Sequence, residues 1–290
     1  MKIHPLYLDF FNFLDQMGEG DPWPSYERLY LKPHENFLLS YWKNFNHFDL
    51  GQIAQRVRQI KKEDYGHLRS LIRSQTPAIL AKEALERCQR VFPQEPQPPV
   101  YLFVGFFSAD GVTVDVDGFP SIALGLERFR DFHDVPLLVS HEYCHCAQRS
   151  LLKDFFPSGE RNLLLTIIAE GLSTLFSQLA YPGLPLHRHL FLTPERLQWC
   201  LENQDALLEL AGADLSSAKL VPILFGAGDP RAGLPPRLGY FIARQMLGHC
   251  LSHHGAEDFG RALPGFEDLF RKIMACRLLA SEPEKKVPPP

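Results

Sequence analysis

A chain of 290 residues, 45% hydrophobic and 22% charged, is long enough for one large domain or two smaller ones. The net charge of −4, with no basic run beyond Lys61–Lys62 and Lys285–Lys286, argues against a nucleic-acid partner. Apolar runs such as LLLTIIA at 163–169 are far shorter than a bilayer span, which argues against a membrane, and the opening residues lack a basic and then apolar leader, so a cytoplasmic location is the default expectation. In chain order, residues 6–92 read as helices, with apolar residues recurring at three and four in LYLDFFNFLDQM, PHENFLLSYWKNF, IAQRVRQIKK and LAKEALERCQRVF. FPQEPQPPV at 92–100 breaks the pattern with four prolines. VYLFVGFF at 100–107 then reads as a buried strand, GVTVDVDG at 111–118 as a half-exposed one, and PSIALGLERF at 120–129 as a third. Helices are expected from about Val135 to Leu152, from Asn162 to Ala180, over 194–211, and from Gly239 and Gly265 onward. FGAGDPRAGLPPRLG reads as an irregular, mobile loop, and SEPEKKVPPP at 281–290 as a disordered tail. The division expected is a helical region over 1–98, a second domain over 99–280, and the tail. Six cysteines (Cys88, Cys144, Cys146, Cys200, Cys250, Cys276) lack a C-x-x-C pair, which argues against a disulfide framework and a cysteine-type zinc cluster.

The chemistry concentrates in LLVSHEYCHCAQ at 137–148. His141 and His145, four apart on a helix, project from one face and can converge on one cation. Glu142 follows the first histidine and can reach a water beside the ligands as general base. A decorative pair of histidines would need no third ligand. Downstream, Asp154 and Glu160 sit in the turn-like KDFFPSGER, where a solvated carboxylate needs no explanation. Glu170 sits in NLLLTIIAEGLSTLFSQLA, where a carboxylate is costly unless paired or bound to metal. With Thr166, Ser173, Thr174 and Ser177 it forms a polar stripe. That stripe either faces solvent or faces the metal, and HEYCH just upstream favours the second reading. In that reading Gly171 lets the histidine and glutamate helices approach closely, and Ser173 or Thr174 orients a ligand. A three-histidine site is excluded, because positions 148 and 151 hold Gln148 and Leu151 rather than Gly and His. A thiolate from Cys144 or Cys146 is a further candidate ligand, though a carboxylate makes it unnecessary.

VYLFVG, SIALGLERF, VSHEYCHCAQ, IAEGLSTLF and PPRLGYFIARQML, in this order from about Val100 to Phe270, resemble the bacterial predicted Zn-dependent proteases of the YjaZ type, a gluzincin-like family. The resemblance implies one zinc per chain on His141, His145 and Glu170, with Glu142 as base, and it also points to Tyr240. A phenol with a reference pKa of about 10 stays protonated at neutral pH and can donate to an oxyanion. The expectation is therefore an α+β fold: a zincin-like metallopeptidase domain with a small mixed or antiparallel sheet, behind a helical N-terminal region. Its substrate would be a peptide or protein, for which a strand such as 121–126 could serve as pairing partner. The rival readings are a metal-dependent hydrolase of another amide or ester, and an inactive scaffold whose structural zinc would need a fourth ligand such as Cys144. His187, His189, His249, His253 and His254 read as surface or helix-capping residues, and Arg244 as a helix-surface arginine.

Overall fold

A computed structural model describes residues 2–44, 49–106, 109–151 and 162–254. The tail at 281–290, the helix expected from Gly265, and the turn with Asp154 and Glu160 lie outside the described residues, as do the side chains of His249, His253 and His254. The fold is α+β, mostly helical with one small mixed sheet. The chain divides into two compact units, Met1–Ser150 and Leu151–Pro290.

The first unit is built on four strands, β1 (Ile3–Pro5), β2 (Val100–Phe103), β3 (Gly111–Val116) and β4 (Phe119–Gly125), in the order β1-β2-β4-β3. β1, β2 and β4 are parallel, and β3 is antiparallel to β4. Asp117 and Gly118 alone connect β3 to β4, with φ of 51° and 81°. Positive φ at both positions is what a type I′ hairpin requires, and Asp-Gly is a preferred pair for it. β1 lies outside the helical pattern of the N-terminal region and hydrogen-bonds to β2. The proline-rich break at 92–100 therefore falls within the first unit, and the division of the chain comes after Ser150.

The helices Tyr7–Gln16, Glu35–Lys43, Leu50–Arg58, Gly66–Ser74 and Pro77–Val91 make the N-terminal region helical, as its periodicity predicts. They bury an aromatic core in which Phe10, Phe13, Tyr30, Tyr41 and Phe103 are fully enclosed. The Tyr30 hydroxyl donates to the Val104 carbonyl and accepts from the Val104 amide, both at 3.0 Å, so the core fixes the end of β2. β4 is hydrogen-bonded on both sides, to β2 and to β3. It cannot take up an added strand as expected for 121–126; among the described strands, β1 and β3 form the sheet edges.

In the second unit, the helix Leu163–Ala180 packs against the helix Leu238–His254. The Asn162 side chain caps the first by accepting from the Leu165 amide at 2.9 Å. A Cβ on Gly171 would stand 2.8 Å from the Ala243 carbonyl oxygen. Gly171 thus admits the helix Leu238–His254, where the sequence pointed to the histidine helix. Leu163–Ala180 is 18 residues long and apolar enough by length and composition to cross a membrane, and 56% of it is buried in the protein. Its length matches the helix expected from Asn162 to Ala180, while Glu170 and the Thr, Ser and Gln residues keep any single apolar run within it short. The expected helix at 194–211 is two, Pro194–Glu202 and Gln204–Ala213, broken at Asn203. The loop expected to be irregular is hydrogen-bonded: Asp229 pairs with Leu234, and its side chain accepts from the Arg231 amide at 2.9 Å.

Candidate metal centre

His141, Glu142 and His145 lie on the helix Val135–Leu151 of the first unit. Its other anchors explain its position. Tyr143 is fully buried and its hydroxyl donates to the Phe92 carbonyl at 2.8 Å, while Gln94 Nε2 donates to the Tyr143 carbonyl at 2.9 Å. The proline-rich segment thus serves as a rail for the helix. A second face of the helix, at Glu142, Cys146 and Arg149, meets β3. Thr113 Oγ1 donates to Glu142 Oε2 at 2.8 Å and lies 3.9 Å from Cys146 Sγ, and Arg149 Nη1 pairs with Asp115 Oδ2 at 2.9 Å. Alternation in GVTVDVDG places Gly111, Thr113 and Asp115 on the face read as solvated. Thr113 is 2% exposed because this helix covers that face.

The next face carries His141, His145 and Gln148. His141 is buried, and its Nε2 lies 3.2 Å from His145 Nε2. Two imidazole nitrogens bound to one tetrahedral cation at about 2.0–2.1 Å stand about 3.3 Å apart, so the pair already has the spacing of two ligands of one ion. Gln148 Oε1 lies 3.3 Å from His145 Nδ1, the kind of contact that fixes a ligand's tautomer and ring orientation. Gln148 Nε2 donates to Cys144 Sγ at 3.4 Å. Burial pushes the Cys146 thiol pKa well up, which opposes a thiolate there.

Glu170 is half-buried on the helix Leu163–Ala180 of the second unit. Its stripe does not face solvent: Ser173, Thr174 and Ser177 are buried. Ser177 Oγ lies 2.9 Å from His189 Nδ1. His189 is 1% exposed, which corrects its reading as a surface or capping residue. It is enclosed because the short helix Leu186–His189 packs on the helix Leu163–Ala180, a tertiary contact with no periodic signal. The imidazoles of His141 and His145 and the carboxylate of Glu170 make up a group of donors that could hold a metal ion. Two imidazoles and a carboxylate are donors of the kind that zinc takes. Neither Cys144 nor Cys146 belongs to this group.

Tyr240 opens the helix Leu238–His254, and its ring is flanked edge-on by Phe191 and Phe225, with centroids 5.5 Å away in both cases. Arg244 is half-buried and donates through Nη1 to Gln245 Oε1 at 2.9 Å, so it is not a freely solvated surface arginine. The residue that sequence reasoning missed is Thr113. Its only signal is a hydroxyl in a β-strand, and its role depends on a helix that begins more than twenty residues later. Comparisons with family models, with curated proteins and with solved structures find no match.

Proposed function

We propose that the chain is a zinc-dependent metallopeptidase of the gluzincin kind with a zincin-like fold. One observation carries the reading: two histidine Nε2 atoms stand 3.2 Å apart on one helix turn, beside a glutamate whose carboxylate is held by Thr113. His141, His145 and Glu170 would hold one zinc per chain. Such an ion lowers the pKa of a water and polarises the scissile carbonyl. Glu142 accepts the proton of the attacking water and passes it to the leaving amine. The buried Thr113 contact engages one carboxylate oxygen and keeps the base from turning away. Tyr240 donates its phenolic proton in a hydrogen bond to the developing oxyanion.

The substrate is a peptide or protein in the cytoplasm, and β3 takes the role first expected of 121–126. As an edge strand it would pair with an extended peptide through main-chain bonds. Hydrolysis of another amide or ester would use the same groups. A structural site would need a fourth protein ligand, and the candidate thiol, Cys144, already accepts from Gln148. Metal analysis tests the donor set: one zinc per wild-type chain is expected, with loss in His145→Ala and Glu170→Gln. Unchanged stoichiometry in both variants refutes it. Glu142→Gln is expected to retain zinc and lose hydrolysis of a fluorogenic casein; wild-type hydrolysis would show that another base operates.

A further inference from the structure

The Thr113 hydroxyl has one proton and three neighbours: Glu142 Oε2 at 2.8 Å, the Glu142 carbonyl at 3.2 Å and Cys146 Sγ at 3.9 Å. The carboxylate oxygen is both the nearest and the charged acceptor, so the proton points there. Cys146 Sγ, at 3.9 Å, is the most distant of the three and at best a weak partner for Oγ1. β3 itself is rigidly placed. Thr113 pairs in register with Ile122 on the fully hydrogen-bonded β4, and Asp115 on the same face is tied to Arg149 one helix turn beyond Cys146. The backbone at Gly111 approaches so closely that an added Cβ would stand 3.6 Å from Glu142 Cγ, which limits the side chain from a second side. Oε2 is therefore engaged by a buried hydroxyl on a fixed strand, and Oε1 is the oxygen that remains to receive a proton.

We propose that Thr113 is a positioning residue for the general base: through its hydrogen bond to Oε2 it fixes the Glu142 carboxylate with Oε1 turned toward the water to be activated. The inference rests on Glu142 being the base, and it adds a residue of the sheet edge to the machinery. The same edge strand would then have two tasks, aligning the substrate main chain and aligning the group that attacks it. A charge-assisted hydrogen bond contributes about 1.5–3 kcal/mol, so its loss should weaken any step that needs the aligned carboxylate about 10- to 150-fold.

The test uses the full zinc-loaded chain with Thr113→Val, which keeps the shape and removes the hydroxyl, and Thr113→Ser, which restores the hydroxyl. Zinc content and affinity are measured by competition with a chromophoric chelator. Acetohydroxamate binding is measured by calorimetry, because this probe must give up a proton or a hydrogen bond to the base as it binds. Casein hydrolysis gives the third readout. Expected are unchanged zinc affinity in both variants, hydroxamate affinity and kcat at least tenfold lower in Thr113→Val, and recovery to within a few-fold of wild type in Thr113→Ser. Wild-type hydroxamate affinity in Thr113→Val, or no recovery in Thr113→Ser, overturns the proposal. Should Thr113→Val fail to fold, Thr113→Ala carries the same comparison, and wild-type hydroxamate affinity there overturns it equally. A wild-type chain that binds zinc and hydroxamate yet cleaves no casein refutes the peptidase reading, and the Thr113 comparison still reads out through the hydroxamate.

Discussion

Substituting Gly171 by alanine sets two effects of similar size against each other. In an exposed helix the change would stabilise by about 1 kcal/mol, because glycine loses more backbone entropy on folding. Here the new Cβ meets the Ala243 carbonyl oxygen at 2.8 Å and Leu247 Cδ2 at 3.1 Å, where ordinary contact begins at 3.4 Å. The leucine methyl can turn aside, but the carbonyl belongs to the backbone of the helix Leu238–His254. The helices must separate by about 0.6 Å, and overpacking of this kind costs about 1–3 kcal/mol. Overpacking should win, leaving Gly171→Ala less stable by about 1 kcal/mol. That corresponds to a fall of about 2–4 °C in Tm by calorimetry. Glu170 is the adjacent residue, and metal sites tolerate ligand displacements of only about 0.2 Å, so chelator competition should show weaker zinc binding as well. A Gly171→Ala protein more stable than wild type would refute the reasoning, since helix propensity alone would then account for the site.

Tyr240→Phe keeps the ring that packs between Phe191 and Phe225 and removes only the hydroxyl, so kcat on casein should fall about 10²- to 10³-fold with zinc content unchanged; near wild-type kcat would remove Tyr240 from the mechanism. His189 has its pKa lowered from 6.5, first by burial, so it is neutral in the fold and binds a proton more readily when unfolded. Its contribution to stability is therefore present above about pH 6.5 and is lost as the pH falls from there toward the lower folded value. Thermal unfolding should show a drop in Tm from pH 7.5 to 5.5 that is smaller in His189→Gln; equal slopes in the two proteins would contradict this.

How much of this was legible in the sequence depended on the range of the interaction. The helix under HEYCH and the apolar helix bearing Glu170 are local patterns, fixed by residues within a turn or two of each other, whereas the strand read over 111–118 took in the Asp117–Gly118 turn. Thr113 was unreadable because alternation along a strand shows which residues share a face and not what covers that face. Gly171 was read correctly as a close approach and assigned to the wrong helix, since a missing side chain names no partner. The same limit applies to β1, three residues containing a proline whose hydrogen bonds come from a segment far along the chain. His189 went unrecognised because burial by a short helical turn leaves no period in the sequence.

The parallel pairing of Ile3–Pro5 with Val100–Leu102 also has a consequence for synthesis. At a translation rate of about 5–20 residues per second, β1 leaves the ribosome roughly 5–20 s before its neighbour in the sheet has been made. During that interval the helices between them can already form from local contacts, whereas the first strand has nothing to pair with. The sheet of the first unit is thus completed late, when β2 arrives, and a nascent chain stalled before Val100 would carry an unpartnered strand segment for a chaperone to hold.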